Sequence, residues 1–175
     1  YKTCNLDCVY CELGSTACLT TCRDRFVPRQ KVLTEIELRR GEPFDHLTFA
    51  GSGEPTLSLD LGEILAQAKE IVDSPVAVIT NSTLLTSPSV RKEVAAADVV
   101  LPSLDAVSQT AFQAINRPAS GLFAKDMIQG LKEFRKEFSG EIWLEVMLVR
   151  GINDEGAEEI ARAAESTEPD RIQLN

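Results

Sequence analysis

Three cysteines fall within one eight-residue stretch, Cys4-Asn5-Leu6-Asp7-Cys8-Val9-Tyr10-Cys11. Thiolates at spacings of four and three residues can converge on one soft centre, because sulfur ligands suit iron–sulfur clusters, zinc and Cu(I). A four-iron cluster usually takes four Cys. If one loop supplies only three, one iron keeps an open position. Zinc is the plainer alternative, with Cys8-x2-Cys11 and Cys18-x3-Cys22 as a four-thiolate knuckle. The six residues between those pairs are far fewer than the roughly 15–20 of usual four-Cys sites, and Cys4 would be left over. Cys18 and Cys22 are either ligands of an auxiliary cluster completed from elsewhere or free thiols, the simpler reading.

A second group of chemistry-bearing residues recurs at the ends of apolar runs. Gly51-Ser52-Gly53-Glu54-Pro55 follows one such run. Its glycines let the backbone approach a ligand closely, and Glu54 can accept hydrogen bonds from an ammonium group. Without a ligand it is a tight strand-to-helix turn. Asn81 ends the next run and either orients a ligand or turns the chain. Ser103 and Asp105 end the following one. Short polar side chains there can bond a ribose hydroxyl pair, or Asp105 can cap a helix. Glu145 shares a strand face with Trp143 and Met147. If that face is interior, the carboxylate needs a partner, Arg150 being one candidate. Asn116-Arg117-Pro118 is a loop that could face substrate. His46, the single histidine, opens a strand and reads as structural.

The elements that must position these residues alternate regularly. Strands are expected at 46–50, 76–81, 98–105, 141–149 and 171–175. Helices are expected at 29–40, after Asp60, at 87–97, 108–115, 121–138 and 154–166. Asp60 and Glu63 resemble a capping pair. Phe123, Met127, Leu131, Phe134 and Phe138 are expected on one buried face, with Gly140 closing that helix. Residues 14–28 are polar and turn-like. Such alternation implies a parallel sheet with right-handed crossovers. An open doubly wound sheet and a barrel both satisfy the pattern. The polar residues gathered at successive strand ends favour a barrel or partial barrel, with one mouth.

The chain has 175 residues and a net charge of −9, enough for one domain with a sizeable core. The charge is uneven, +2 over residues 1–40 and −11 beyond. An acidic body argues against a broad phosphate-binding face, and nucleic acid is an unsupported partner on this ground. Five cysteines packed into the first 22 residues make a poor disulfide framework and suit a reducing, cytoplasmic setting. No apolar run is long enough to span a bilayer, so no membrane partner is expected. The abrupt start at Tyr1 and the strand-like end suggest a fragment cut at both ends.

Cys-Asn-Leu-Asp-Cys-Val-Tyr-Cys, with Tyr10 inside a C-x3-C-x2-C spacing, resembles the signature of the radical S-adenosylmethionine (SAM) superfamily. Thr-Phe-Ala-Gly-Ser-Gly-Glu-Pro, Leu-Pro-Ser-Leu-Asp-Ala and Ile-Asn-Arg-Pro extend the likeness over the whole chain, towards an iron–sulfur oxidoreductase branch similar to the wyosine tRNA-base synthases. The resemblance implies a partial (β/α)6 TIM-like barrel across residues 1–175, with most of its first strand before Tyr1. It implies a [4Fe-4S] cluster on Cys4, Cys8 and Cys11, and S-adenosyl-L-methionine on the remaining iron. Tyr10, Gly51, Ser52, Gly53, Glu54, Asn81, Ser103, Asp105, Glu145 and Arg150 would then line the cofactor. Glu54 would receive the methionyl amino group, although Ser52 stands where the superfamily has Gly. The implied activity is reductive cleavage of SAM to a 5′-deoxyadenosyl radical that abstracts hydrogen from a substrate. An external donor of flavodoxin or ferredoxin type would supply the electron. RNA-base modification competes with peptide or small-molecule chemistry. The alternative function is a non-catalytic thiolate–metal module, either a zinc scaffold or an iron–sulfur redox sensor.

Overall fold

A computed structural model describes all of residues 1–175. The chain opens with a two-residue strand, β1 (Thr3–Cys4), paired in parallel with β2 (Cys18–Leu19). The segment expected to be only a turn-rich loop therefore folds back on the start of the cysteine motif. Helix α1 (Arg29–Arg39) leads into the main sheet. That sheet comprises β3 (Leu47–Phe49), β4 (Val76–Thr80), β5 (Val99–Pro102), β6 (Glu141–Val146) and β7 (Arg171–Leu174). Helices α2 (Leu61–Ile71), α3 (Pro88–Val94), α4 (Gln109–Ile115), α5 (Ala124–Glu137) and α6 (Ala157–Glu165) fill the connections.

Every strand pair is parallel and the spatial order is the sequence order, β3-β4-β5-β6-β7. A doubly wound sheet requires a reversal of that order, and none occurs. The sheet also curls. The His46 ring, just before β3, meets the Trp143 ring on β6 edge-on at 5.5 Å. Three inter-strand spacings in a flat sheet would hold them about 14 Å apart. The architecture is a parallel α/β sheet wound as a partial TIM-like barrel.

Val76, Val78, Val100, Ile142 and Leu144 are buried against the helices, chiefly through Leu65, Ala68, Val94, Leu131, Phe134 and Ala164. Strand alternation leaves Trp143, Glu145 and Met147 on the opposite, half-exposed face. Ser108 caps α4 through Ala111 N–H at 3.1 Å. Three local expectations change. Asp60 does not cap α2, because its carboxylate takes the Arg25 guanidinium at 3.0 Å. Phe123 precedes α5 and is exposed, since the helix begins only at Ala124. Gly140 is no helix stop: a Cβ there would lie 2.4 Å from Asp98 O, so close packing is what calls for glycine.

Candidate functional site

The cysteine loop is held down by two other segments, the turn after α4 and the glycine turn after β3. Asp7 N–H donates to Asn116 O, Val9 N–H to Ile115 O, and Ala119 N–H to Asn5 O, each at 2.9 Å. The Asn-Arg-Pro segment thus clamps the motif from one side. On the other side Thr3 bridges Gly53, and Glu54 N–H donates to Thr3 O at 3.2 Å. A Cβ on Gly53 would sit 1.8 Å from Thr3 O, and its φ is +156°. Sequence reasoning assigned this glycine to a close-approaching ligand. In the structure the backbone that approaches is that of the cysteine loop itself.

Two of the three sulfurs accept amide hydrogens. Cys4 Sγ takes Leu6 N–H at 3.5 Å and Asn81 Nδ2–H at 3.7 Å. Cys8 Sγ takes Asn116 Nδ2–H at 3.4 Å. Asn81 is fixed by a closed ring of bonds: it donates to Asn5 Oδ1 at 2.6 Å, Asn5 donates to Thr83 Oγ1 at 2.6 Å, and Thr83 Oγ1 donates back to Asn81 Oδ1 at 2.7 Å. Cys11 is half-buried; its N–H donates to Cys8 O at 3.2 Å and its carbonyl accepts from Gly14 N–H at 2.9 Å. Burial raises the Cys4 thiol above its ordinary value. It pushes Cys8 up to about 11, against the Asn116 and Tyr10 hydrogen bonds and with Asp105 and Cys4 adding repulsion. A bound cation would reverse that preference and favour the thiolates.

Asp105 is the hub beneath the loop. It is 3% exposed. Its Oδ2 accepts from Tyr10 OH at 2.5 Å and Asn116 Nδ2 at 2.8 Å, and its Oδ1 accepts from Met147 N–H at 2.9 Å. Burial moves its carboxyl upward from the usual range despite these donors. Both oxygens take protein donors, and Ser108 rather than Asp105 caps the next helix; Asp105 anchors Tyr10. Burial, followed by the neighbouring Asp105 charge, raises Tyr10 strongly, so the phenol stays protonated and donates. Asn153, 3% exposed, donates to Asp105 O and Met147 O and accepts from Val149 N–H at 2.8, 2.7 and 2.7 Å.

Glu54 is buried and its four donors come from the protein. Oε1 takes Thr56 N–H at 3.1 Å, Thr56 Oγ1–H at 2.6 Å and Thr80 Oγ1–H at 2.6 Å; Oε2 takes Asn81 N–H at 2.8 Å. Burial raises its carboxyl while the donors favour the anion. Oε2 retains acceptor capacity for a further cationic donor. Ser52 is exposed on the rim of the glycine turn, and Gly51 has φ +71°. Ser103 bridges Glu145 through the backbone. The Glu145 side chain is half-buried and raised by burial and then by Asp105. It makes no pair with Arg150, which is exposed.

The chain therefore brings together Cys4, Cys8, Cys11, Tyr10, Gly53, Glu54, Asn81 and Asp105, and leaves Ser52 and Arg150 at the periphery. The donor chemistry fits an iron–sulfur cluster: amide hydrogens aimed at sulfur suit thiolate ligands. No three His, Cys, Asp or Glu side chains sit close enough to hold one metal ion. A cubane spreads its thiolates over separate irons and asks for a wider set. A cavity of about 580 Å³ opens beside the glycine turn, but its lining of Tyr1, Phe26, Val27, Phe49 and neighbours includes none of the cysteines. Sequence reasoning missed Asn5 and Thr83, and gave Asn116 to substrate. The only cue was polar residues just past strand ends.

Residues 1–164 match the family described as "Radical SAM superfamily". A protein of Brachyspira hyodysenteriae named GTPase Obg is 40% identical over 99% of this chain, which covers 26% of that protein. A UPF0026 protein of Synechocystis is 34% identical over 99% of this chain and 66% of its own length. A probable GTP 3′,8-cyclase of Saccharolobus islandicus is 28% identical over 74% of this chain and 39% of its own. Among solved structures, a domain of pyruvate-formate lyase-activating enzyme from Bacteroides vulgatus superposes with a TM-score of 0.51 at 15% identity, covering 74% of this chain and 98% of that one. The chain thus spans 26% to 66% of the length of these sequence relatives.

Proposed function

The chain belongs to the radical SAM superfamily, and from that premise we propose that residues 1–175 form a radical SAM core domain whose Cys4, Cys8 and Cys11 hold a [4Fe-4S] cluster with S-adenosyl-L-methionine on its open iron. One observation carries the reading. The loop bearing the three thiols is stitched by backbone hydrogen bonds to the glycine turn that presents Glu54, and amides point at two of the sulfurs. With an electron from an external flavodoxin- or ferredoxin-type donor, the bound pair supplies a 5′-deoxyadenosyl radical able to take hydrogen from a substrate.

The chain's own residues do the holding. Glu54 Oε2 is the acceptor for an ammonium group entering beside Asn81. Tyr10, tied to Asp105, fixes the stretch between Cys8 and Cys11. The curled sheet brings the His46 ring against the Trp143 ring. Ser52, Ser103, Glu145 and Arg150 belong to the rim, where the nucleoside and substrate would lie. Modification of tRNA bases, the wyosine-like reading, is the more specific version. The charge of −11 beyond residue 40 favours a substrate other than an extended phosphate backbone.

Anaerobic reconstitution with iron and sulfide, followed by dithionite and SAM, tests the proposal. The expected results are about four irons per chain and formation of 5′-deoxyadenosine. A fully loaded protein that forms no 5′-deoxyadenosine, or a colourless protein that binds zinc instead, overturns it.

A further inference from the structure

Cys8 receives its amide hydrogen from a side chain 108 positions away, and the geometry leaves that amide only one orientation. Asn116 is 3% exposed. Its two Nδ2 hydrogens go to Cys8 Sγ at 3.4 Å and to Asp105 Oδ2 at 2.8 Å. Turning the amide over would set its carbonyl oxygen against a carboxylate and a sulfur, both acceptors. The backbone on either side of Asn116 is equally committed, since Ile115 O and Asn116 O accept from Val9 N–H and Asp7 N–H. Asp105 is held in turn by Tyr10 and Met147 N–H. Every part of the device is fixed before any cofactor arrives. Asn81 makes the corresponding but longer contact to Cys4 at 3.7 Å, held by the Asn5–Thr83 ring.

We propose that Asn116 is a positioning residue that sets the reduction potential of the cluster through Cys8, with Asp105 orienting its amide; this rests on the cluster assignment made above. An amide N–H aimed at a ligand sulfur stabilises the more negative, reduced cluster over the oxidised one, so hydrogen bonds to sulfur raise the potential. The cluster reached by the external donor is therefore easier to reduce than the three cysteines alone would make it. Asn81 acts in the same direction and more weakly, because its donor is farther from its sulfur. Cys11, without a side-chain donor, contributes no such effect.

The experiment is redox titration of the reconstituted full chain by EPR, comparing wild type with Asn116→Ala, Asn81→Ala and Cys18→Ser. At a fixed poise near the wild-type midpoint, Asn116→Ala is expected to lower the ratio of reduced to oxidised cluster about ten-fold, which for one electron is ~59 mV. Asn81→Ala gives a smaller drop. Cys18→Ser, which removes an exposed sulfur outside the loop, stays close to wild type. Should Asn116→Ala fail to fold or to bind iron, Asn81→Ala protein labelled with 15N in its asparagine side chains leaves Asn116 as the amide aimed at a ligand sulfur. Pulsed EPR of the reduced cluster is then expected to show a coupling to amide nitrogen. A loaded Asn116→Ala cluster with wild-type potential, or a labelled Asn81→Ala protein without that coupling, overturns the inference. Failure of the wild type to bind a cluster would instead sink the functional assignment on which it rests.

Discussion

The chain carries two groups of cysteines within its first 22 residues, and the fold treats them in opposite ways. Cys4, Cys8 and Cys11 are buried or half-buried on a loop that two other turns clamp, and two of their sulfurs accept amide hydrogens. Cys18 and Cys22 are exposed, and no donor meets either sulfur. Cys18 helps only through its backbone, as part of β2. The residue type is shared, so thiol chemistry alone does not define the site. What separates the groups is whether the fold supplies donors that make a thiolate worth burying.

Breaking that contrast should give the largest effect. Alanine at Cys4, Cys8 or Cys11 is expected to abolish the iron chromophore after reconstitution, whereas Cys18→Ser with Cys22→Ser retains wild-type iron and sulfide. Iron loss in the double variant would mean that the exposed pair also holds metal. Next comes the clamp. Gly53→Ala is expected to destabilise the apo protein by more than ~3 kcal/mol in urea unfolding, because its Cβ meets Thr3 O within a strained backbone. Gly51→Ala, whose built Cβ finds no atom nearer than 3.9 Å, should cost only about 1 kcal/mol for its positive φ.

A third measurement sharpens the comparison at the cofactor. Glu54→Gln removes the negative charge and sets an amide against Asn81 N–H. The dissociation constant for SAM on the loaded protein should weaken roughly 10- to 100-fold, the worth of a hydrogen bond to a charged group. Cluster content should stay near wild type, since Glu54 touches no sulfur. Equal loss of iron and SAM binding would merge the two roles.

The smallest effect belongs to the other end of the sheet. Asp170 accepts from Ile142 N–H and the Arg135 guanidinium, both at 2.8 Å, and that backbone hydrogen bond is the chief cause holding its carboxyl below the usual range. A depressed folded-state value contributes stability above the unfolded pKa and loses it as pH falls through the folded one. Asp170→Asn should therefore lower Tm by about 2–4 °C at pH 7. The gap to wild type should close as pH falls through the lowered folded-state value, and iron content should not change at either end of that range. A variant that lost iron would show that the clamp feels the far end of the sheet.

Much of this was legible in one dimension. The cysteine spacing singled out the thiol loop that the fold clamps, and the β-branched run at 76–81 announced a buried parallel strand, since both faces of such a strand are covered. Helix limits shifted by a few residues, because end turns depend on what they pack against. The polar strand-end residues were singled out, but their tasks were not.

Those tasks were decided in three dimensions. Asn81, Asp105 and Asn116 lie about 70 to 110 positions from the thiol loop they serve. A polar side chain takes whichever partner the crossing backbone brings within hydrogen-bond reach. Neither the period of a helix nor that of a strand encodes that choice. Periodicity records which face is apolar and so specifies layers. The pairing of one amide with one sulfur exists only once the sheet has curled and brought its strand ends together.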